Sequence, residues 1–240
     1  MARTIAERLA YNRAYSPKLN PLLFDEEGSL RPEVSKKVKE IVDAFLEAAE
    51  VSIKIADIRL VGSNASYNYN EHSDLDIHIV TDLSKIAEPE TIARLYMDVV
   101  KRNFNLLYDI KIKGIDVELY VEDINAGAQS NGVYSVLKDK WIKEPTPIDD
   151  PSSDDLEEAE EIEEEILEKI KLARTTEDLE SILDDLYLMR KDALSSKGEL
   201  APANLAFKSL RNKGILDQIK DTLHDEESKK LSLESKRVRK

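Results

Sequence analysis

Two short motifs, separated by ten residues, carry the side chains best suited to chemistry: Gly62-Ser63 and Asp74-Leu75-Asp76. The first motif follows the apolar run Ile58–Val61, whose composition predicts a buried strand that ends at Gly62. Glycine lets a backbone turn approach a phosphate closely, and serine adds a hydroxyl and an amide donor. The pattern therefore predicts a phosphate-sized turn at the end of a strand.

The second motif places two carboxylates on one face of the next strand. Alternation sends Leu75, Ile77 and Ile79 to one side and Asp74, Asp76 and His78 to the other. Two neighbouring carboxylates repel each other, and a divalent cation removes that conflict. Magnesium prefers oxygen ligands and usually binds one or two carboxylates plus substrate phosphates. Together the motifs indicate a site for a magnesium-bound nucleoside triphosphate; an exposed acidic strand face, with His78 as a hydrogen-bonded strand residue, is the structural alternative.

A further pair of acids follows in the segment 110–121. Its residues alternate around Gly114, which predicts a hairpin or two short strand segments. Asp116 and Glu118 share one face of that pattern. Either acid is suited to bridge a second metal ion and to orient an attacking hydroxyl.

The combination of Gly-Ser, a ten-residue spacer, Asp-hydrophobic-Asp and a later strand acid resembles the nucleotidyltransferase superfamily with the DNA polymerase beta fold. The resemblance covers residues 50–145. Within it the chain looks most like small nucleotidyltransferase-like proteins of bacteriophages and bacteria, a likeness supported by Gly132-Val133-Tyr134-Ser135 and Lys140-Trp141-Ile142. The implied fold is an α/β (α+β) core with a mixed sheet, flanked by N-terminal helices and a C-terminal helical domain.

The resemblance also implies a role for particular residues. Asp74 and Asp76 would be metal ligands and catalytic residues, with Glu118 as the favoured third carboxylate and Asp116 as the alternative. Glu118 is favoured because Val-Glu-Leu-Tyr is similar to the acidic strand of alarmone synthetases. The implied cofactor is Mg²⁺ or Mn²⁺. The residues expected to bind the nucleotide are Gly62, Ser63, Ser73, Tyr67, Lys138 and Lys140.

The implied reaction transfers a nucleoside monophosphate from a triphosphate, with ATP as the expected donor, to an acceptor hydroxyl and releases pyrophosphate. The acceptor stays open between an RNA 3′ end, a protein, a small molecule and another nucleotide. A non-catalytic module that senses a nucleotide in the same pocket is the alternative function.

The composition and charge of the chain limit the kinds of partner that we expect it to bind. The chain has 240 residues, no cysteine and a net charge of −14. No apolar run approaches a membrane span, so we expect a cytoplasmic protein without a membrane partner. Thirteen acids and no Lys or Arg lie between residues 144 and 168, which opposes broad coating of nucleic acid. Residues 200–240 are locally basic, and an RNA end would be held near Lys208, Arg211 and Lys213.

The pattern predicts four segments. They are an N-terminal helical segment at 1–50, the nucleotidyltransferase core at 51–145, a helical domain at 146–225 and a disordered basic tail at 226–240. Helices are expected at 3–14, 32–50 and 89–107, the last with Ile92, Leu95, Tyr96, Val99, Val100 and Phe104 inward. In the helical domain, Thr175 with Asp178 predicts a helix cap, and the glutamates of 157–165, Glu163 included, are expected to form a solvated face. The groove between core and helical domain is the predicted acceptor site.

Overall fold

The computed structural model describes residues 16, 18–51, 53–71, 73–127, 130–147 and 151–232. The predicted helix at 3–14 and the last eight residues of the predicted tail lie outside this part of the chain. The described residues form two compact units, one within 16–147 and the other within 151–232.

The first unit contains a six-stranded mixed sheet. Its strands are β1 (Ile55–Val61), β2 (Leu75–Thr81), β3 (Lys111–Ile112), β4 (Ile115–Asp123), β5 (Val133–Ser135) and β6 (Lys140–Lys143). They lie in the order β3-β4-β2-β1-β5-β6, with β2 and β4 parallel and the other neighbours antiparallel. The expectation of a mixed-sheet α+β protein is confirmed at this level.

Two helices cover one face of the sheet. Helix α1 spans Pro32–Ala48, and α2 spans Glu90–Leu107 and supplies the crossover between the parallel strands β2 and β4. The core is built from alternate strand residues, among them Leu60, Ile77 and Leu119, packed against apolar residues of both helices. The residues in between, including Arg59, Asp76 and Glu118, consequently point to the opposite face, which carries the polar side chains of the sheet.

The hairpin predicted around Gly114 is present as β3 and β4. Lys113 and Gly114 form its two-residue turn with φ angles of 54° and 84°. Positive φ at both turn positions matches the right-handed twist of the flanking strands. The turn thereby fixes which residues of β4 face the core.

The prediction of which α2 residues face the core is largely wrong. Four of the six predicted residues are 42% to 67% exposed: Ile92, Leu95, Tyr96 and Val99. The other two, Val100 and Phe104, pack on the core. Ala93 and Met97 are buried in place of the four exposed residues. The helix carries two apolar stripes, and the one containing the small Ala93 lets its backbone approach the sheet closely. Periodicity alone does not distinguish the two stripes.

The second unit consists of four helices: α3 (Ser153–Leu172), α4 (Thr176–Ser196), α5 (Pro202–Asn212) and α6 (Ile215–Leu231). Thr175 and Asp178 form the predicted cap as a reciprocal capping box at the start of α4. Gly214 lies in the left-handed conformation between α5 and α6, with φ of 71°. Across the described segments, no helix combines the length and apolar character that crossing a membrane requires.

The predicted solvated face of α3 is present at Glu157, Glu158, Glu161, Glu164 and Glu165, which are exposed, but the prediction is wrong at Glu163. Glu163 does not lie on a solvated face: it is 3% exposed, accepts a hydrogen bond from Ser209 Oγ at 2.8 Å and pairs with Lys213. Glu163 can be buried on the apolar side of α3 because Ser209 and Lys213, at the end of α5, supply a hydroxyl donor and a positive charge. Residues 226–231, predicted to belong to a disordered tail, are instead part of α6, which continues to Leu231.

Candidate active site

A close approach between a turn and a carboxylate defines the candidate site. Gly62 follows β1 with φ of 74°, and a Cβ atom placed on it would lie 1.9 Å from Asp76 Oδ2. Val61 is the register partner of Asp76 across β1 and β2. The missing side chain of Gly62 therefore allows the Asp76 carboxylate to rest against the turn. The Gly62 amide donates to Ser130 Oγ at 3.1 Å.

Asn64 holds the loop between the two motifs. Its side chain is 1% exposed, and Nδ2 donates to the carbonyl oxygens of Ser73 and Asp74, both at 2.9 Å. Its Oδ1 accepts a hydrogen bond from Asn20 Nδ2 at 2.8 Å. The start of β2, and with it Asp74, is thus tied to the turn that follows Gly62. Ser73 Oγ accepts from the Asn70 amide at 2.9 Å within the same loop.

The parallel pairing of β2 and β4 brings a third acid beside the motif. Asp76 is the register partner of Glu118, so their side chains leave the same face of adjacent strands about 4.8 Å apart at the backbone. Tyr120 donates its hydroxyl hydrogen to Glu118 Oε2. Burial raises the pKa of Tyr120 well above its usual range, and the hydrogen bond to Glu118 and the charges of Glu118, Asp76 and Asp74 raise it further. The Tyr120 phenol thus donates to one of the three carboxylates and lies in the negative field of the other two.

Asp116, the alternative third acid, is engaged differently. It forms an ion pair with Lys111 of β3, and its side chain is 53% exposed. It lines, together with Asp74, a cleft of about 510 Å³ next to the site. The other residues around this cleft are Asn20, Leu22, Tyr69, Asn70, Glu71, Ser73, Lys113, Gly114 and Ile115. Of the two candidates, Glu118 is the one that shares a register position with Asp76.

The carboxylates fit a magnesium ion that keeps other oxygen ligands. Among the residues the structure describes, no three or more His, Asp or Glu side chains form a group that would hold a metal ion. Asp76 and Glu118 are nonetheless side by side, with Asp74 two residues upstream on the same face. Magnesium usually takes one or two protein carboxylates and completes its shell with water and substrate phosphates. The donor set therefore suits a metal ion that arrives with a nucleotide.

The residues expected to bind the nucleotide do not all converge. Ser63 begins a short 3₁₀ turn directly after Gly62, and the Tyr67 carbonyl accepts a hydrogen bond from the Ser16 amide in the motif loop. Lys138 instead lies 3.8 Å from Asp57 Oδ2, near the opposite end of β1 and about 13 Å along the strand from Val61.

The lysines of the β5–β6 hairpin differ in their distance from the turn. Lys140 is exposed and pairs with Ser135, whose other register partner is Arg59 in the middle of β1. Lys143 is closer, since its Nζ donates to the Ser130 carbonyl at 2.6 Å and Ser130 also contacts the Gly62 amide. The structure thus places Lys143, rather than Lys138 or Lys140, beside the Gly62 turn.

Three functional candidates were not identified from the sequence. Tyr120 lies two residues after Glu118 in an alternating strand. The alternation therefore indicated that the two side chains share a face of the sheet. Asn64 and Ser130 gave no comparable signal, because their roles depend on contacts with residues 44 and 68 positions away. His78 is hydrogen-bonded to Glu122, in agreement with the structural alternative considered for it.

Comparison of the chain with family models, with curated proteins and with solved structures gives no match in any of the three.

Proposed function

We propose that this protein is a metal-dependent nucleotidyltransferase with a polymerase-beta-like core. The observation that carries the proposal is the position of Asp76, which rests against the Gly62 turn on one side and lies beside Glu118 on the other. This position places a turn that can approach phosphates next to two acids that can hold the accompanying cation. The mixed sheet, with helices on the core face and acids on the opposite face, agrees with the proposed fold.

In the proposed reaction, the acceptor hydroxyl oxygen attacks the α-phosphorus of the triphosphate. The bond from that phosphorus to the bridging oxygen breaks, pyrophosphate leaves, and the hydroxyl proton passes to water. Asp74, Asp76 and Glu118 would hold the metal, which when bound supplies charge neutralisation and lowers the pKa of the attacking hydroxyl. The Gly62 turn and Ser63 would position the phosphates through backbone and hydroxyl donors.

The cleft beside Asp74 is the proposed approach for the acceptor. Its charged lining consists of Glu71, Asp74, Asp116 and Lys113, and this excess of acids disfavours a phosphate-rich acceptor there. The basic residues considered for an RNA end also have carboxylate partners: Lys208 pairs with Glu199 at 2.6 Å and Lys213 pairs with Glu163. The contacts therefore support a small or protein hydroxyl better than a polyanion.

The test is label transfer from a nucleoside triphosphate. The protein is incubated with α-labelled triphosphates, Mg²⁺ or Mn²⁺ and a cell extract, and pyrophosphate release and labelled species are measured. We expect a labelled acceptor with the wild type and none with the Asp74→Ala, Asp76→Ala double variant. Nuclease and protease treatment of the labelled product then identifies its class.

A nucleotide-binding module without catalysis is the second candidate. It is favoured by one observation, the absence of a preformed metal-binding group of three acids in the described segments. Nucleotide binding without any pyrophosphate release, in the presence of extract and either metal, would support this candidate over the enzyme.

A further inference from the structure

A row of polar side chains crosses the open face of the sheet and ends at Glu118. Glu122 accepts a hydrogen bond from Arg59 Nη1 at 2.7 Å, and its other oxygen lies 2.8 Å from His78 Nδ1. Arg59, His78 and Tyr120 occupy one register line across β1, β2 and β4. The side chains of Arg59 and Glu122 are only 17% and 10% exposed, so both ends of this ion pair are held by their surroundings.

Two side chains contact the Tyr120 ring, His78 from the row and Lys101 from α2. The His78 ring lies 5.1 Å from the Tyr120 ring, centroid to centroid, and Lys101 Nζ lies 4.9 Å from the Tyr120 centroid. Contacts of this kind stabilise the phenol ring in the position from which its hydroxyl meets Glu118. The Tyr120 hydroxyl therefore reaches Glu118 Oε2 in a fixed direction, which leaves Oε1 of Glu118 for another ligand.

We propose that Tyr120 is a positioning residue that orients Glu118 for the metal ion. The inference rests on the proposed function, since it assigns a role to a neighbour of one of the proposed ligands. A glutamate has three rotatable side-chain bonds, and fixing it in advance removes an entropic cost that the metal would otherwise have to offset. Groups that hydrogen-bond a metal ligand typically change metal affinity by about 10- to 100-fold when removed.

The chain offers a matched control for the loss of a tyrosine hydroxyl. Tyr96 donates its hydroxyl hydrogen to the Ala49 carbonyl at 2.6 Å, and it belongs to α2. Tyr96→Phe and Tyr120→Phe each remove one oxygen atom and one hydrogen bond. The two variants differ in the acceptor that loses its donor: in Tyr120→Phe it is Glu118, a proposed metal ligand, and in Tyr96→Phe it is the Ala49 carbonyl, which is not.

The experiment measures Mn²⁺ affinity by electron paramagnetic resonance in the presence of a non-hydrolysable triphosphate analogue. We expect Tyr120→Phe to weaken Mn²⁺ binding about tenfold and Tyr96→Phe to leave it unchanged. In a Glu118→Ala background, where no side-chain oxygen is left for Tyr120 to orient, Tyr120→Phe should have no further effect. Thermal melts without metal establish that each variant is folded at the assay temperature.

The outcomes separate this inference from the function on which it rests. If the wild type binds Mn²⁺ and Tyr120→Phe binds it equally well, the positioning role is overturned while the proposed function stands. An equal loss of affinity from Tyr120→Phe with Glu118 present or replaced would also overturn it, since the effect would not pass through Glu118. If the wild type binds no Mn²⁺ with the analogue, the proposed function and this inference are both overturned.

Discussion

At the scale of single residues, the absence of one Cβ atom organises the candidate site. Gly62 turns the chain after β1 while the Asp76 carboxylate occupies the space that a side chain would need. The sequence made the glycine and both aspartates visible, because each belongs to a motif of a few residues. It gave no indication that the glycine and Asp76 touch, since that contact depends on the pairing of β1 with β2.

Gly62→Ala and Gly114→Ala separate backbone strain from this contact. Both glycines have positive φ, 74° and 84°, so alanine is strained at either position; at Gly62, whose ψ of −159° lies in a region essentially confined to glycine, that strain is about 1–3 kcal/mol. A Cβ at Gly114 meets no atom within 4 Å, whereas one at Gly62 collides with Asp76. We expect calorimetry to show magnesium-dependent triphosphate binding in Gly114→Ala and its loss in Gly62→Ala. Unaltered binding in both variants would mean that Asp76 does not need its present position.

Glu118→Gln and Asp116→Asn test which acid completes the site. Glu118 lies beside Asp76, while Asp116 is half-exposed and pairs with Lys111. We expect Glu118→Gln to abolish pyrophosphate release while triphosphate binding persists, and Asp116→Asn to lower the rate by less than about tenfold, because an exposed ion pair contributes little. The reverse ranking in a turnover assay would assign the catalytic role to Asp116.

At the scale of elements, strands were predicted more accurately than the orientation of helices. Period two assigns Leu75, Ile77 and Ile79 to the core face of β2, and the structure buries all three, whereas Val80 departs from the alternation because it is also buried. In α2 two apolar stripes compete, and only packing against the sheet decides between them. The ties that hold the motif loop, from Asn64 to Asn20 and from Gly62 to Ser130, join distant parts of the chain and leave no local pattern.

Met97→Ala and Leu95→Ala report the orientation of α2 directly. Met97 is 1% exposed and Leu95 is 67% exposed. Removal of the buried side chain should lower the free energy of unfolding by about 2–4 kcal/mol, whereas removal of the exposed one should change it by less than about 0.5 kcal/mol. Denaturant unfolding of the two variants checks this, and equal losses would restore the orientation first expected from the sequence.

At the scale of the whole molecule, the acids outnumber the basic residues, and several of the basic residues are also paired with particular acids. The chain carries a net charge of −14, yet the basic residues near the end of α5 are drawn inward to acids. Composition predicted the overall sign and the local basic segment. It could not show that Lys213 neutralises the buried Glu163, because that pair spans 50 residues.

Lys213→Met and Lys208→Met compare a lysine paired with a buried acid and a lysine paired with a partly exposed acid. Loss of Lys213 would leave Glu163 buried with Ser209 as its remaining partner among the contacts described above, and we expect a loss of about 2–3 kcal/mol in the unfolding of the helical unit. Lys208→Met breaks a more exposed pair and should cost less than about 1 kcal/mol. Unfolding followed by hydrogen exchange in residues 151–232 provides the measurement; similar small losses in both variants would show that Glu163 does not depend on Lys213.

In the proposed site, Asp76 would couple nucleotide binding to a divalent cation. Isothermal titration of the intact protein with ATP, with magnesium and then with chelator, measures that coupling, and Asp76→Asn removes one charge at nearly constant shape. We expect magnesium to strengthen ATP binding to the wild type and to have no such effect on Asp76→Asn. Equal affinity of the wild type for ATP with magnesium and with chelator would contradict it.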